Sequence, residues 1–217
     1  MSDRADRILD ATADLFVRFG AGKTTVDDIA RAAGVSKGSV YLEFAGKREL
    51  AEALVEREFR AYLTAVNTTV DSDPEGGRLS RVYRHALDEL LARPLMRALY
   101  TRDADVLGTM LLRHGPARYA PRVLLGRRFV ERLQRAGLVR ADLDPDTLSE
   151  AMAVLSAGLI LAPPVLGRDQ GASPEAIELL TTMLTDLAEP PDGSGDITAG
   201  KRAFADLCRE LGEQLSG

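Results

Sequence analysis

Residues Val26–Phe44 read VDDIARAAGVSKGSVYLEF, two short helical runs joined at a single glycine, Gly34. Neither run can hold a helix in water by itself, because nucleation costs more than so few hydrogen bonds return. The two must therefore pack on one another and on a third element, and this requirement constrains the chain more than any other feature. The residues suit it. Gly34 can take the left-handed backbone of a sharp turn. Ala30, four residues earlier, is small where the helices would approach. Ile29, Val35 and Val40 supply an apolar contact between two helices crossing steeply. Thr25 with Asp28 three residues on predicts a capping box, and Ser36 predicts an N-cap for a helix over 37–43. The third element is a helix over 5–19, with apolar positions Ile8, Ala11, Leu15 and Phe19, Leu9 and Phe16 beside them, and Gly20 at its end.

The remainder continues in helical periods. Gly46 and Glu49 open a helix over 47–69, with an apolar face at Leu50, Leu54, Ala61 and Val66 and with Val55, Phe59 and Tyr62 alongside. After a turn at 71–77, a helix over 79–91 meets Pro94, and a further helical segment runs to about residue 112. An arginine-rich helix is expected over 119–136, carrying Arg122, Arg127, Arg128, Arg132 and Arg135 and ending at Gly137. An apolar helix over 146–161 stops at Pro163-Pro164, Ser173 caps one over 174–188, and a last amphipathic helix covers 200–215. With no alternating strand pattern, the expectation is an all-α chain of about ten helices. Its domains are an N-terminal helix-turn-helix unit over 1–47 and a larger helical domain over 48–217, with a flexible linker at 189–200 (EPPDGSGD and onward).

No run approaches the roughly 18 apolar residues of a membrane span, and the charged, periodic N-terminus lacks the apolar block of a signal peptide. A single cysteine, Cys208, excludes an internal disulfide framework and fits a reducing cytosol, so a cytoplasmic location is expected. The net charge of −5 is uneven: residues 1–50 hold 8 Lys+Arg and 8 Asp+Glu, and the rest of the chain carries the whole excess. A nucleic-acid binder needs a local basic face rather than a basic chain, so the balance neither supports nor excludes DNA. No GxSxG, HExxH or paired-cysteine pattern occurs, and no enzyme, metal or cofactor is expected.

On periodicity alone, a plain helical hairpin with a solvated outer face fits Val26–Phe44 at least as well as a nucleic-acid reader. The side chains on the outer face of helix 37–43 favour the reader. Its N-terminal end presents Ser36, Lys37, Gly38 and Ser39, and a helix N-terminus offers free N–H groups and partial positive charge to phosphates. Gly38 lets a backbone come close, Lys37 can reach a guanine edge or a phosphate, and Ser39 can reach either base edges or backbone. Tyr41 adds a hydroxyl on a flat apolar body, Val40 can serve the core or touch a thymine methyl, and Lys47 can clamp a second phosphate.

At these residues the sequence resembles the tetracycline-repressor (TetR) family of bacterial transcription regulators. The segments ILDATADLFVRFG, TTVDDIARAAGVSKGSVYLEF and GKRELAEALV carry the resemblance, covering about residues 8–55. It implies a three-helix DNA-binding unit on a helical domain that binds a small ligand and forms a homodimer. By position, Thr25, Ser36, Lys37, Gly38, Ser39, Val40, Tyr41 and Lys47 become the DNA-contacting set, with Tyr41, Thr25 and Lys47 on the backbone and Lys37 and Ser39 as base readers. Leu42, Glu43 and Ala45 depart from the family pattern, and Glu43 would repel phosphate unless it faces solvent or a basic side chain. The implied function is a homodimeric, ligand-responsive regulator. It would be a repressor that binds palindromic double-stranded DNA through helix 37–43 and is released by a small-molecule effector; activator action stays open. The helices over 146–161 and 174–188 would form the dimer bundle, with Ala151, Leu155, Gly158 and Leu159 suited to close packing. The ligand-pocket candidates His85, His114, Tyr62, Tyr83, Tyr100 and Tyr119 each read more readily as structural, and the arginine-rich helix reads as a salt-bridged face rather than an anion site.

Overall fold

The computed structural model describes residues 2–96, 126–165 and 172–215, and the regular structure among them is helical throughout. In chain order the helices are α1 (Asp3–Phe19), α2 (Val26–Ala33), α3 (Lys37–Glu43), α4 (Lys47–Ser72) and α5 (Leu79–Ala92), followed by α6 (Arg127–Arg135), α7 (Pro145–Val165), α8 (Pro174–Ala188) and α9 (Ile197–Leu215). The all-α expectation therefore holds. Among the described residues, no helix is long and apolar enough to cross a membrane.

Two apolar cores form, and α4 serves both. The first gathers Ile8, Leu9 and Phe16 of α1, Ile29 and Ala30 of α2, Val40 of α3, and Leu50, Leu54 and Val55 of α4, with Leu95 added from beyond α5. The second begins one turn further along α4, at Phe59, Tyr62, Leu63, Val66 and Val70, and takes in buried residues of every later helix. Phe129 of α6 meets Phe204 of α9 edge to face at 6.0 Å between centroids, a favoured aromatic geometry.

Four sequence expectations are corrected in detail. The inward face of α1 runs through Ala5, Ile8, Leu9, Thr12 and Phe16, whereas Phe19 is 58% exposed. The face turned because Thr12 is admitted to the core, its hydroxyl donating to the Ile8 carbonyl at 2.7 Å. On α4, Ala61 is exposed, while Leu63 and Val70 pack inward. Helix α7 runs through Pro163 and Pro164 to Val165, so the donors and space that the prolines take away are lost only in its last turn, and the helix ends directly after them.

The fourth correction concerns 189–200, expected as a flexible linker. Its start has fixed partners, and its end is already helix from Ile197. Helix α5 has no side-chain cap of its own at Arg78. Instead the buried Glu189 accepts the Ser80 N–H at 2.8 Å, satisfying one orphan donor of that helix start. Arg78 donates to the Gly193 carbonyl at 2.6 Å, and the Asp196 N–H donates to the Ala136 carbonyl at 2.8 Å. Polar composition that reads as solvation is here spent on caps.

The start of α9 lies directly on the turn before α5. A methyl placed on Gly200 would collide with the Gly77 carbonyl and a Leu138 methyl, and one on Gly77 would collide with the Ile197 carbonyl. Two glycines facing one another permit this crossing, and Lys201 ties it by donating to the Asp71 carbonyl at 2.6 Å. Gly200→Ala should therefore destabilise the chain despite its higher helix propensity, by about 1–3 kcal/mol, the usual cost of overpacking. The check is a chemical-denaturation midpoint at an unchanged m-value.

Candidate nucleic-acid interface

The turn between α2 and α3 forms as its residues require. Gly34 has φ 66°, in the left-handed region, and the Val35 N–H closes back on the Ala30 carbonyl at 3.0 Å. Ser36 caps α3, its hydroxyl accepting the Ser39 N–H at 3.0 Å and sharing a hydrogen bond with the Ser39 hydroxyl at 2.8 Å. The capping box of α2 is complete: Thr25 Oγ1 accepts the Asp28 N–H at 3.2 Å, and Asp28 Oδ2 accepts both the Thr25 N–H at 3.1 Å and its hydroxyl at 2.6 Å. The Thr25 side chain and backbone, in that order of effect, hold the Asp28 carboxyl below the usual carboxylate range.

On this frame the outer face of α3 is laid out. Lys37, Gly38, Tyr41 and Leu42 are exposed, Tyr41 at 49% and Leu42 at 79%. A methyl on Gly38 would meet only the Ser36 hydroxyl oxygen, at an ordinary 3.7 Å. Among the described residues, no close contact requires glycine at this position. Lys47, at the first position of α4, reaches among the described residues the Gly22 carbonyl, at a long 3.5 Å.

Val40, counted among the DNA-contacting residues on sequence, is corrected: it is 0% exposed and wholly inside the first core. Of its two possible roles it fills the structural one, because a helix of seven residues needs an inward anchor and Val40 is its one fully buried side chain.

Glu43 does not face a phosphate unshielded. Arg4 at the start of α1 donates to its carboxylate from Nε at 2.7 Å and lies 2.5 Å away through Nη2, and Ser2 donates at 3.2 Å. The Arg4 hydrogen bond is the main reason its carboxyl sits below the ordinary range. Asp27, one residue past the start of α2, went unnoticed in the sequence: its Oδ2 accepts from Lys37 Nζ at 2.8 Å. That bond keeps the Lys37 ammonium above its usual pKa. The two residues are ten apart and meet only because the turn at Gly34 folds α3 back, so no spacing rule signals them.

The remaining candidates fall to structural roles. Tyr62 donates its hydroxyl to the Ala86 carbonyl at 3.1 Å, Tyr83 pairs with the Ser156 hydroxyl at 3.3 Å, and His85 Nε2 meets Asp73 at 2.7 Å. His114, Tyr100, Tyr119 and Arg122 lie outside the described residues. Arg127 pairs with Glu131 and Asp146, and Arg132 with Glu210, as a salt-bridged face requires. Burial pushes the Cys208 thiol up to about 12, far from a reactive thiolate. Among the described residues, no cluster could hold a metal ion.

A profile of bacterial regulatory proteins of the tetR family matches residues 8–54, the segment that builds this face. The transcriptional regulator SrpR of Pseudomonas putida is 34% identical over 101 residues, 38% of this chain and 47% of that protein. TtgW of Pseudomonas putida, also described as a helix-turn-helix regulator, is 34% identical over 101 residues, covering 38% of this chain and 75% of its own length. The chain belongs to the TetR family. A TetR-family regulator structure from Haemophilus influenzae superposes with a TM-score of 0.55 at 20% identity, over 87% of this chain and 97% of that one, which extends the shared fold beyond the matched head. The chain spans about half of SrpR, and the relatives named are transcription regulators rather than enzymes.

In this TetR-family head the capping box fixes the entry of α2, and through the turn at Gly34 it fixes α3. Thr25→Ala should lower stability by about 1 kcal/mol, as N-cap truncations do. The Asp28 part of the box is fully present above the ordinary aspartate range and lost as pH falls through the lower value that the carboxyl has in the folded chain. In melts from pH 6 down to pH 2, the deficit of the variant should therefore shrink at the acid end.

Proposed function

We propose that this chain is a homodimeric, ligand-responsive transcription repressor that binds a palindromic operator through α3 and is released by a small molecule. The observation that carries the reading is the outer face of α3. Its capped N-terminal end presents Ser36, Lys37, Gly38 and Ser39, with Tyr41 exposed beyond them, over a helix anchored from beneath by Val40. Backbone contacts from Thr25, Tyr41 and Lys47 would set register, and Lys37 and Ser39 would read base edges.

The dimer reading is supported by exposed apolar side chains on two helices. Leu179, Met183 and Leu187 stand four residues apart on α8, and Val154 and Leu155 are exposed on α7. A soluble monomer gains nothing from such a stripe, whereas two copies packing α7 and α8 together would bury it in a four-helix bundle. Two-fold symmetry would then set two α3 helices about 34–36 Å apart, one turn of DNA. Ligand would act by favouring a conformation of the second core in which that spacing fails, with α4 as the lever.

Selection of bound duplexes from a random pool should enrich a palindrome, and genes beside matching genomic sites would suggest the effector. Lys37→Ala should lower affinity for the selected site about tenfold or more and relax one position of it, whereas Lys47→Ala should weaken all sequences alike and reduce the salt slope. Met183→Glu should sediment as a monomer and lose operator affinity by about a hundredfold, as expected once two half-sites no longer act together. A folded protein that enriches no sequence at low salt would overturn the reading.

A further inference from the structure

Asp27 is a carboxylate on the face that the reading above presents to DNA, where a negative charge repels phosphate. It performs no capping there: the neighbouring Asp28 closes the capping box of α2. Among the described residues its one bonded partner is Lys37, at 2.8 Å. Both side chains are more than half exposed, and an ion pair so exposed adds little to stability. The pair stands at the N-terminal edges of α2 and α3 together, since Asp27 is the second residue of α2 and Lys37 the first of α3.

We propose that Asp27 and Lys37 read one G·C base pair of the operator as a unit, Asp27 accepting from the cytosine N4 amino group while Lys37 donates to guanine O6 and N7. This rests on the operator-binding reading above. The chemistry has three parts. In the major groove, the only donors a carboxylate can meet are the exocyclic amino groups of cytosine and adenine. The donor and acceptor of the pair sit 2.8 Å apart. In a G·C pair, O6 and N4 are themselves joined by an N–H···O hydrogen bond of about 2.9 Å, so the two edges match in spacing as well as polarity. A T·A pair offers a similar acceptor and donor but places the thymine methyl where guanine has N7, against the lysine.

The groups also have the capacity. An ammonium has three N–H donors and spends one on Asp27, and the carboxylate keeps Oδ1 and further lone pairs for the amino group. The two side chains can therefore stay together on binding while each gains a base partner, and the carboxylate's approach to DNA is compensated at a G·C pair. Elsewhere Asp27 opposes attachment, so the pair both attracts the correct step and rejects incorrect ones.

The alternative role for Asp27 is a favourable charge in the first turn of α2; that would affect melting and leave sequence preference unchanged. The test is duplex selection with the full chain as wild type, Asp27→Asn, Asp27→Ala, Lys37→Ala and the double variant Asp27→Ala/Lys37→Ala, each melted first and selected at a temperature where it is fully folded. The expected result is a wild-type palindrome with one symmetric G·C position whose preference falls about tenfold or more in each Asp27 variant. Lys37→Ala should lose the same position, the double variant should lose no further one, and Asp27→Ala should bind unrelated duplexes more tightly. If wild type and Lys37→Ala differ at a position that both Asp27 variants preserve, the paired reading is overturned and operator binding stands. If wild type enriches nothing, both are overturned.

Discussion

Among the described helices, α4 contributes to both apolar cores. Its first turns complete the core of the N-terminal head through Leu50, Leu54 and Val55, and its later turns found the second core from Phe59 to Val70. An α-helix of its 26 residues spans about 39 Å and bends little without a proline or an inserted group. Tyr62 and Val66 of the second core and Leu50 and Leu54 of the first thus sit on one continuous helix.

The head is small and nearly neutral, and its charges are mostly committed. Glu43 is held by Arg4, Asp28 by Thr25 and Lys37 by Asp27. The −5 of the whole chain is therefore carried outside this head. The carboxylates are not distributed at random in the head, and the ones nearest α3 sit beside cations or N–H groups that offset them. Lys47 differs from these: the partner described for its ammonium is the neutral Gly22 carbonyl, at a long 3.5 Å.

Much of the head was legible in the sequence because local rules decide it. Thr25 with Asp28, Ser36, Gly34 and Gly20 each act within a turn of their own position, and the boundaries of α2 and α3 followed from them. What escaped was decided by contacts between segments. The face of α1 depends on a threonine that satisfies itself against Ile8 and so passes as core. Val40 was offered two faces by periodicity, and only the packing of α3 on α1 and α2 assigns it inward. Asp27 acquires its partner through the reversal at Gly34, which composition and spacing cannot express. The second domain was legible as a set of amphipathic helices, but the polar stretch after α8 looked solvated because its partners, Ser80 and Ala136, lie far away in the chain.

Those distant partners bear on how the molecule is made. The Glu189 carboxylate that completes the start of α5 lies 109 residues downstream of Ser80, and Lys201 closes on Asp71 across 130. Contacts of such separation form late, because the intervening chain must first be ordered. On the ribosome, the head and the start of α4 emerge with their local partners in hand, whereas α5 waits with an open end until Glu189 emerges. A translation product that stops before Glu189 would thus hold a capped α2 and α3 joined to a second core whose α5 start has not been closed.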